Sequence, residues 1–216
     1  MKKLHIFGIT LILALGIGLA SCGGQKSTAE QNNIDQYGIC LDQEVDLGLS
    51  VKWAAWNVGA TSPDGYGDYY AWGEVDGKKN YSTGSYKYYN AGKYEVIGNL
   101  SSSVHDAATF RWGGNWRIPS RDEFDELINK CTWEWFIYKG VNGYKVTGPN
   151  GNSIFLPAAG YKHGTTHDNP EAYGVYWTST SYNADQGYAW NVFFSNSGHG
   201  LYNSGRTNGM TIRPVR

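Results

Sequence analysis

Histidines are the side chains most able to bind a metal ion or to transfer a proton, and two of them are closely spaced. His163 and His167 are four residues apart, and Asp168 follows directly. On a helix this spacing would place both imidazoles on one face, as in many zinc sites. The segment also contains Gly164 and Pro170, which disfavour a helix. We therefore predict two exposed loop histidines, with no metal ion and no other cofactor.

No arrangement of nucleophile, base and acid emerges elsewhere in the sequence. The motifs of serine hydrolases, zinc proteases and P-loop nucleotide-binding proteins are all missing. Four acidic residues lie between Asp122 and Glu126, at the start of a predicted helix, where negative charge complements the helix dipole. His105 also lacks a neighbour that would orient it. We therefore predict that the protein is not an enzyme.

The C-terminal region has the composition of a contact surface. Two apolar stretches, Ala189–Phe194 and Met210–Val215, enclose a segment made mainly of Asn, Ser, Gly and Tyr. Antibody contact surfaces favour the same residues, because Tyr offers large rigid area and the small polar residues adapt their hydrogen bonds. We predict that the stretches are strands and that the segment is a loop that binds a glycan or a protein. The predicted ligand-binding residues are Tyr182, Asn183, Trp190, Asn191, Ser195, Ser197, His199, Tyr202, Asn203 and Arg206.

One helix is predicted clearly by its capping residues and its apolar spacing. Ser120 and Glu123 match a capping box. Apolar residues then follow at i, i+3, i+4 and i+7 from Phe124 to Cys131, which forms one apolar stripe. This pattern predicts a main helix at about 120–130 and points Cys131 inward as a structural thiol.

The remaining elements are strands, turns and one shorter helix. Tyr144–Thr147 and Ser153–Leu156 flank an Asn-Gly turn and predict a hairpin. The stretches "GVYWTSTS", "YAWNVFF" and "MTIRPV" predict three further strands. A short helix is predicted over Ser103–Arg111 with Ser103 as its cap, whereas Val75–Asn99 is predicted to be a long loop. This order predicts an α+β fold with an antiparallel, β-rich C-terminal half.

The N-terminus has the layout of a lipoprotein signal peptide. Lys2 and Lys3 precede an apolar stretch that is too short to span a membrane, and Leu19-Ala20-Ser21-Cys22 resembles a bacterial lipobox. We predict a signal peptide at 1–21, lipidation of Cys22, a flexible tether at 22–37 and one folded domain at 38–216. The protein is thus expected to be an outer membrane lipoprotein, on the cell surface or the periplasmic face.

Charge and composition restrict the class of partner. Without the two lysines of the predicted signal, the 18 basic and 19 acidic side chains give a net charge of about −3. Such a chain has no basic field to attract phosphate, so we do not expect it to bind nucleic acid. Nine Trp and 17 Tyr residues predict an ordered aromatic core. Cys40 and Cys131 form either a disulfide or two buried thiols, and both interpretations stay open.

Several segments together resemble a known family. They are "VDLGLSVKWAAWNVGA", "DYYAWGE", "HDAATFRWGGNWRIPSRDEF", "CTWEW", "GYKVTGPNGNSIFLPAAGY", "GVYWTSTS" and "MTIRPVR". In combination they look like the Fibrobacter succinogenes major paralogous domain, a family of exported proteins and lipoproteins frequent in Bacteroidetes. The resemblance spans about Val45 to Arg216 and implies a C-type-lectin-like fold, similar to that of the formylglycine-generating enzyme.

The chain departs from related patterns in three ways. Trp56 stands where family members often carry a cysteine that would pair with Cys131. No cysteine follows Cys131, which excludes formylglycine-generating chemistry. The calcium-binding motifs of sugar-binding lectins are replaced by Asn169-Pro170-Glu171 and Trp190-Asn191-Val192, in which Val192 takes the place of a key carboxylate. The resemblance therefore implies an architecture without calcium-dependent sugar binding.

The C-terminal segment "YAWNVFFSNSGHGLYNSGRTNG" also resembles segments that diversity-generating retroelements mutate in C-type-lectin-like proteins. We therefore expect a lipid-anchored cell-envelope binding module that recognises a glycan or protein, and the resemblance adds the hypothesis that a retroelement diversifies its contact loop. The alternative is a structural or adhesin-like envelope component with no small ligand.

Overall fold

The computed structural model describes residues 33–216. The predicted signal peptide, the lipidation site Cys22 and most of the predicted tether lie outside the described residues. Residues 33–37 contact the domain, since the Asp35 carboxylate accepts a hydrogen bond from the Tyr138 hydroxyl and the Tyr37 ring packs on Phe136. Within residues 33–216, no helix has the length and apolar character needed to cross a membrane.

Small antiparallel sheets dominate the structure, and the helices are few and short, so the α+β, β-rich character is confirmed. The helices are α1 (Ala107–Trp112) and α2 (Arg121–Lys130). The strands are β1 (Glu44–Val45), β2 (Trp53–Ala54), β3 (Tyr89–Asn90), β4 (Lys93–Tyr94), β5 (Thr132–Tyr138), β6 (Val141–Thr147), β7 (Ser153–Pro157), β8 (Tyr161–His163), β9 (Thr166–Asp168), β10 (Gly174–Ser181), β11 (Tyr188–Ser195) and β12 (Gly198–Gly205).

The two larger sheets have three strands each, in the orders β5-β6-β7 and β10-β11-β12. The predicted hairpin is formed by β6 and β7, in which Thr147 pairs with Ser153 and Tyr144 with Leu156. The predicted loop at 75–99 is mostly irregular, with one short 3-10 turn and the two-residue strands β3 and β4.

The segment predicted to be a contact loop is instead mostly a strand. β12 pairs with β11 over its whole length, from Ser195↔Gly198 at the turn to Tyr188↔Gly205 at the far end. Side chains of β12 therefore alternate between the two faces of the sheet, and Leu201 packs against the core. The many Asn, Ser and Gly residues hid this alternation in the sequence.

Sheet β10-β11-β12 lies between two parts of the core. On one face Val192 and Phe194 pack with Phe124 of α2, and on the other face Val175 and Trp177 pack with Met210. Because successive strand residues point to opposite faces, β10 and β11 each contribute to both clusters.

Both predicted helices form, but one has a different cap. The Ser120 hydroxyl accepts a hydrogen bond from the Glu123 N–H, and the Glu123 carboxylate accepts one from the Ser120 N–H, so the predicted capping box of α2 is confirmed. Helix α1 begins later than predicted, and its cap is Asp106 rather than Ser103. The buried Asp106 carboxylate accepts hydrogen bonds from the N–H groups of Ser102, Thr109 and Ile118, which fixes the start of the helix.

The structure decides between the two interpretations of the cysteines, a disulfide or free thiols, for Cys131. The Cys131 thiol is free, so it forms no disulfide with Cys40. Burial, together with the charge of Glu126, raises the pKa of Cys131 to about 11. The thiol is therefore protonated at neutral pH, as expected for a structural residue rather than a nucleophile.

The predicted C-terminal strand does not join a regular sheet and instead bridges separate parts of the fold. Residues 210–216 pair with several segments through isolated bridges, which include Trp53↔Val215, Tyr70↔Met210 and Arg117↔Val215. The Lys52 and Arg216 backbones exchange two hydrogen bonds of 3.0 Å. The C-terminal segment thus holds the N-terminal part of the domain to the central sheet.

Arg213, within this segment, is fully buried and makes its hydrogen bonds to uncharged acceptors. It donates to Asn57 Oδ1 (2.8 Å) and to the carbonyl oxygens of Ala54 (3.1 Å), Ala55 (2.6 Å) and Phe155 (2.8 Å). Burial lowers the pKa of Arg213 to about 10, so the guanidinium stays charged at neutral pH. One side chain thereby satisfies backbone groups from two distant parts of the chain.

The ion pair between Glu123 and Arg117 predicts a pH-dependent stability. Burial alone would raise the pKa of Glu123, but two hydrogen bonds from Arg117 (2.8 and 2.5 Å) and one from the Ser120 N–H outweigh burial and lower it. The stabilisation is therefore present above the unfolded-state pKa of about 4.5 and is lost as pH falls through the lower folded-state pKa.

Urea unfolding of wild type and Glu123→Gln at several pH values measures this effect. We expect the variant to be less stable at pH 7, with the difference shrinking as the pH falls below about 4.5. Asp125→Asn changes an exposed carboxylate on the same helix that does not touch Arg117, and it should behave like wild type. A difference that stays constant with pH would show that the Glu123 charge does not stabilise the fold.

Candidate functional site

A cavity of about 390 Å³ lies on the face of sheet β10-β11-β12 that points away from α2. We call it the aromatic pocket. Its volume lies within the range of small-molecule sites. The residues that line it are Tyr161, Tyr173, Val175, Asn191, Phe193, Tyr202, Asn203, Ser204, Asn208 and Met210.

Four aromatic rings form much of the pocket wall. The Phe193 ring lies edge-to-face with Tyr173 at a centroid distance of 5.0 Å and with Tyr202 at 5.6 Å. Tyr161 adds a fourth, partly buried ring. Tyr202 is 54% exposed, so its ring is accessible from solvent. The rings present flat apolar surfaces at the mouth of the pocket.

The polar groups of the pocket are largely without partners in the described chain. Asn191 is 1% exposed, and although its Nδ2 donates to Ser204 Oγ (2.8 Å), its Oδ1 accepts no hydrogen bond. A bound ligand or a water molecule in the pocket would supply this oxygen with a hydrogen-bond partner. The amide of Asn208 also forms no hydrogen bond with residues 33–216 and is free to bind a ligand.

Strand alternation explains why these side chains meet. Asn191 and Phe193 are two apart on β11 and therefore share a face. Asn191 lies opposite Tyr202 on β12, so Tyr202 and Ser204 point to the same face. The neighbouring strand β10 adds Val175 opposite Phe193, which completes the floor.

Two segments outside this sheet supply the opposite wall. Lys162 pairs with Gly209, which places Tyr161 beside the C-terminal segment. Tyr173 follows a tight turn in which Asn169 and Glu171 both have positive φ angles, of 50° and 64°. Non-glycine residues adopt this conformation at a cost in free energy, so the surrounding contacts must hold the turn in place.

Three of the ten predicted ligand-binding residues line the pocket: Asn191, Tyr202 and Asn203. The lining also includes residues that were not predicted to bind ligand, among them Tyr161, Tyr173, Phe193, Ser204 and Asn208. Phe193 and Ser204 could have been found from strand alternation, had β12 been recognised as a strand. Tyr161 and Tyr173 reach the site through tertiary contacts that no local pattern reveals.

Four predicted residues lie away from the pocket, at the side of the sheet that faces α2. Trp190 is packed between the Tyr182 ring (5.3 Å) and the Arg121 guanidinium (4.8 Å). Asn183 is exposed beside Tyr182. His199 stacks on Trp133 with ring centroids 4.3 Å apart. These side chains do not share a surface with the pocket.

His199 packs with aromatic rings and does not offer a free imidazole. Besides Trp133 it contacts the Tyr144 ring at 5.4 Å, and its Nδ1 has no hydrogen-bond partner. Burial lowers the pKa of His199, which keeps the ring neutral over a wider pH range.

The two predicted serines lie at the hairpin turn between β11 and β12. The Ser195 hydroxyl accepts a hydrogen bond from the Ser197 N–H, and the Ser195 carbonyl accepts one from the Tyr144 hydroxyl. Ser197 is exposed. Both residues thus shape the turn at the end of the strands, apart from the pocket.

Arg206 was predicted to contact ligand, but it is 1% exposed and is a core residue. Its guanidinium lies 4.8 Å from the Trp72 ring and 5.4 Å from the Tyr86 ring. It donates hydrogen bonds to the Tyr86 hydroxyl and to the carbonyl oxygens of Glu95 and Gln186. The expectation of an exposed arginine was wrong because the irregular region 75–99 folds over it.

The histidines of the first motif also differ from the prediction. His163 is exposed, but His163 and His167 lie on the paired strands β8 and β9 rather than in a loop. His167 is partly buried, and its Nε2 lies 2.9 Å from the Tyr69 hydroxyl and 2.8 Å from the Ala159 carbonyl. Among residues 33–216, no group of three His, Cys, Asp or Glu side chains is placed to hold a metal ion.

A family model described as the Lcl C-terminal domain matches residues 55–216, which is most of the chain. The chain belongs to this family. The Lcl C-terminal domain covers the central sheet, both helices and every residue of the aromatic pocket. Membership of the family indicates a lipoprotein-associated binding module. No curated protein and no solved structure matches the chain.

Proposed function

We propose that the protein is a lipid-anchored binding module of the cell envelope that holds a ligand in the aromatic pocket. The observation that supports this most directly is the combination of four aromatic rings with the unpartnered Oδ1 of the buried Asn191. A pocket that needed only to be filled for stability would be expected to satisfy its own buried polar atoms. Family membership agrees with a binding role.

A comparison of two tyrosines on adjacent strands tests the proposal. Tyr202→Ala removes an exposed ring from the pocket wall, whereas Tyr188→Ala removes a ring of similar exposure (42%) from the opposite face of β11. On arrays of glycans and peptides, we expect Tyr202→Ala to weaken binding about tenfold or more and Tyr188→Ala to leave it unchanged.

The His199→Ala variant is a second control for the effect of Tyr202→Ala on binding. Because His199 packs on Trp133 and lies away from the pocket, its loss should lower stability while leaving affinity unchanged. Equal effects of the three variants on binding would argue against the pocket as the ligand site.

We further infer that the fold is C-type-lectin-like and that the chain is related to the Fibrobacter succinogenes major paralogous domain. The pairing of residues 210–216 with Lys52 and Trp53 supports this, since it brings the two ends of the domain together. The short helices and the central antiparallel sheet agree with it. Superposition of an experimental structure on C-type-lectin-like domains tests the inference, and a different strand order would overturn it.

The envelope location rests on the N-terminal sequence. A signal peptide at 1–21 and lipidation of Cys22 would hold the domain at the outer membrane, on the cell surface or the periplasmic face. Metabolic labelling with palmitate should mark the wild type and leave Cys22→Ser unlabelled. Labelling of both proteins would contradict an anchor at Cys22.

Diversification by a retroelement is a separate hypothesis for the same segment. Exposed positions such as Asn183 and Ser197 could be exchanged without loss of packing, whereas Asn191 and Arg206 are buried. An adenine-mismatched copy of this coding segment beside a reverse-transcriptase gene would support it. A genome without such a copy would exclude diversification and leave the binding proposal intact.

The alternative function is a structural or adhesin-like envelope component with no small ligand. Its support is the exposure of two apolar side chains near α1, Val104 (83%) and Phe110 (62%). Purification of a partner in fixed stoichiometry, with binding that Tyr202→Ala does not change, would favour this alternative.

A further inference from the structure

The lining of the aromatic pocket contains no charged side chain among the described residues. Lys162 is the neighbour of Tyr161 in sequence, but its ammonium group lies 5.0 Å from the Tyr69 ring. Arg206 is on the same strand region as Ser204, but its guanidinium is enclosed by Trp72 and Tyr86. A sulfate or carboxylate in the pocket would therefore meet no cation, and its desolvation would be uncompensated.

An entirely apolar ligand also fits poorly. The hydroxyls of Tyr161, Tyr173 and Tyr202 form no hydrogen bond with residues 33–216, and neither does the amide of Asn208. An apolar peptide side chain would cover these groups, and the Oδ1 of Asn191, without giving them partners. Polar groups that lose water without gaining a hydrogen bond weaken binding.

A sugar ring, which carries several hydroxyls, matches both the aromatic rings and the uncharged polar groups of the pocket. The C–H bonds on the face of a pyranose ring carry partial positive charge and pack on the negative face of an aromatic ring. Its hydroxyls lie around the ring edge and act both as donors and as acceptors, which matches a set of amides and phenol hydroxyls. Phe193 and Tyr202 supply ring surface beside Asn191 and Ser204, so one sugar unit could use both at once.

We propose that the aromatic pocket binds a neutral saccharide unit of a glycan. This inference rests on the proposed binding function and narrows its ligand class. Because the lining holds no carboxylate, recognition uses stacking and uncharged hydrogen bonds and needs no bridging cation.

Matched polysaccharides that differ in charge provide the test. Dextran and dextran sulfate share one backbone, and linear galactan is the neutral counterpart of polygalacturonate. The purified protein, wild type and variant, is titrated with each of these and with a mixed peptide array, at low and high salt and with a chelator. Methyl glycosides of glucose, galactose and mannose serve as single-unit competitors.

We expect a neutral polysaccharide to bind, with an affinity that neither salt nor chelator changes and that a methyl glycoside reduces by competition. Tyr202→Ala should weaken this binding about tenfold or more, and Tyr188→Ala should not. Asn191→Leu should also weaken it, and because that buried change could unfold the protein, Asn208→Ala serves as a second, partly exposed variant.

Two outcomes would overturn the inference, and they are distinguishable. In the first, the protein binds only the sulfated or uronic polymers, or only peptides, and Tyr202→Ala abolishes this binding. That result would refute a neutral saccharide as the ligand, while the proposed binding function would stand. Binding of any probe that Tyr202→Ala and Asn208→Ala leave unchanged would refute both the ligand class and the pocket.

Discussion

Replacement of Arg213 by Met is expected to lower the free energy of unfolding by about 4 kcal/mol, because it leaves buried acceptors without a donor. The methionine side chain fills similar space, but Asn57 Oδ1 and the carbonyl oxygens of Ala54, Ala55 and Phe155 would each lose a hydrogen bond. Urea unfolding followed by tryptophan fluorescence measures the loss. Arg213→Lys should also destabilise the protein, since one ammonium group cannot reach all four acceptors.

Arg216→Met is the matched control for this experiment. Arg216 lies three residues along the same segment, is 45% exposed, and forms an ion pair with Glu44 at the surface. Its replacement is expected to change stability by less than about 1 kcal/mol. Equal stability of Arg213→Met and wild type would mean that the buried network does not hold the N-terminal part of the domain.

Replacement of Arg206 by Met is expected to lower the free energy of unfolding by about 3 kcal/mol and to loosen residues 83–97. The guanidinium joins β12 to this region through Tyr86, Tyr94 and the Glu95 carbonyl. Hydrogen exchange should therefore become faster in residues 83–97 than in β6, where Arg206 makes no contact.

The Lys93→Met variant controls for a change of charge in the same region, since Lys93 is exposed and should be replaceable without loss of stability. A binding measurement distinguishes a structural role of Arg206 from a role in ligand contact. If Arg206→Met kept full stability but lost ligand affinity, Arg206 would contact the ligand as the sequence first indicated, and its place in the core would be wrong.

The parts of the fold that were predictable are those in which local chemistry alone decides the structure. Helix α2 was found because Ser120 and Glu123 cap each other across one turn, and its apolar stripe then follows the helical period. The β6–β7 hairpin was found because an Asn-Gly turn separates two strand-like segments. These signals need no information from the rest of the chain.

Long-range contacts decided the elements that were missed. The cap of α1 is Asp106 rather than Ser103, because the Asp106 carboxylate also accepts the Ile118 N–H twelve residues away. Strand β12 forms because β11 pairs with it and Leu201 reaches the core, although its own composition is typical of a loop. Local propensity is a weak guide where tertiary pairing supplies the energy.

The types of residue in the candidate site could be predicted from the sequence, but most of the individual residues could not. The abundance of Tyr and Asn correctly drew attention to β11 and β12, and Asn191, Tyr202 and Asn203 do line the pocket. Composition cannot tell which face of a strand a residue occupies, so Trp190 and His199 were grouped with residues on the other side of the sheet. Once β12 is known to be a strand, alternation separates the two groups.

Arg213, the buried arginine of the C-terminal segment, limits the order in which the chain can fold. Its partner Asn57 is 156 positions earlier, so that contact cannot form until the chain has been synthesised as far as Arg213. Folding that depends on such distant partners is slow. The carbonyl groups of residues 54 and 55 would therefore stay without their buried donor until the C-terminal segment is in place.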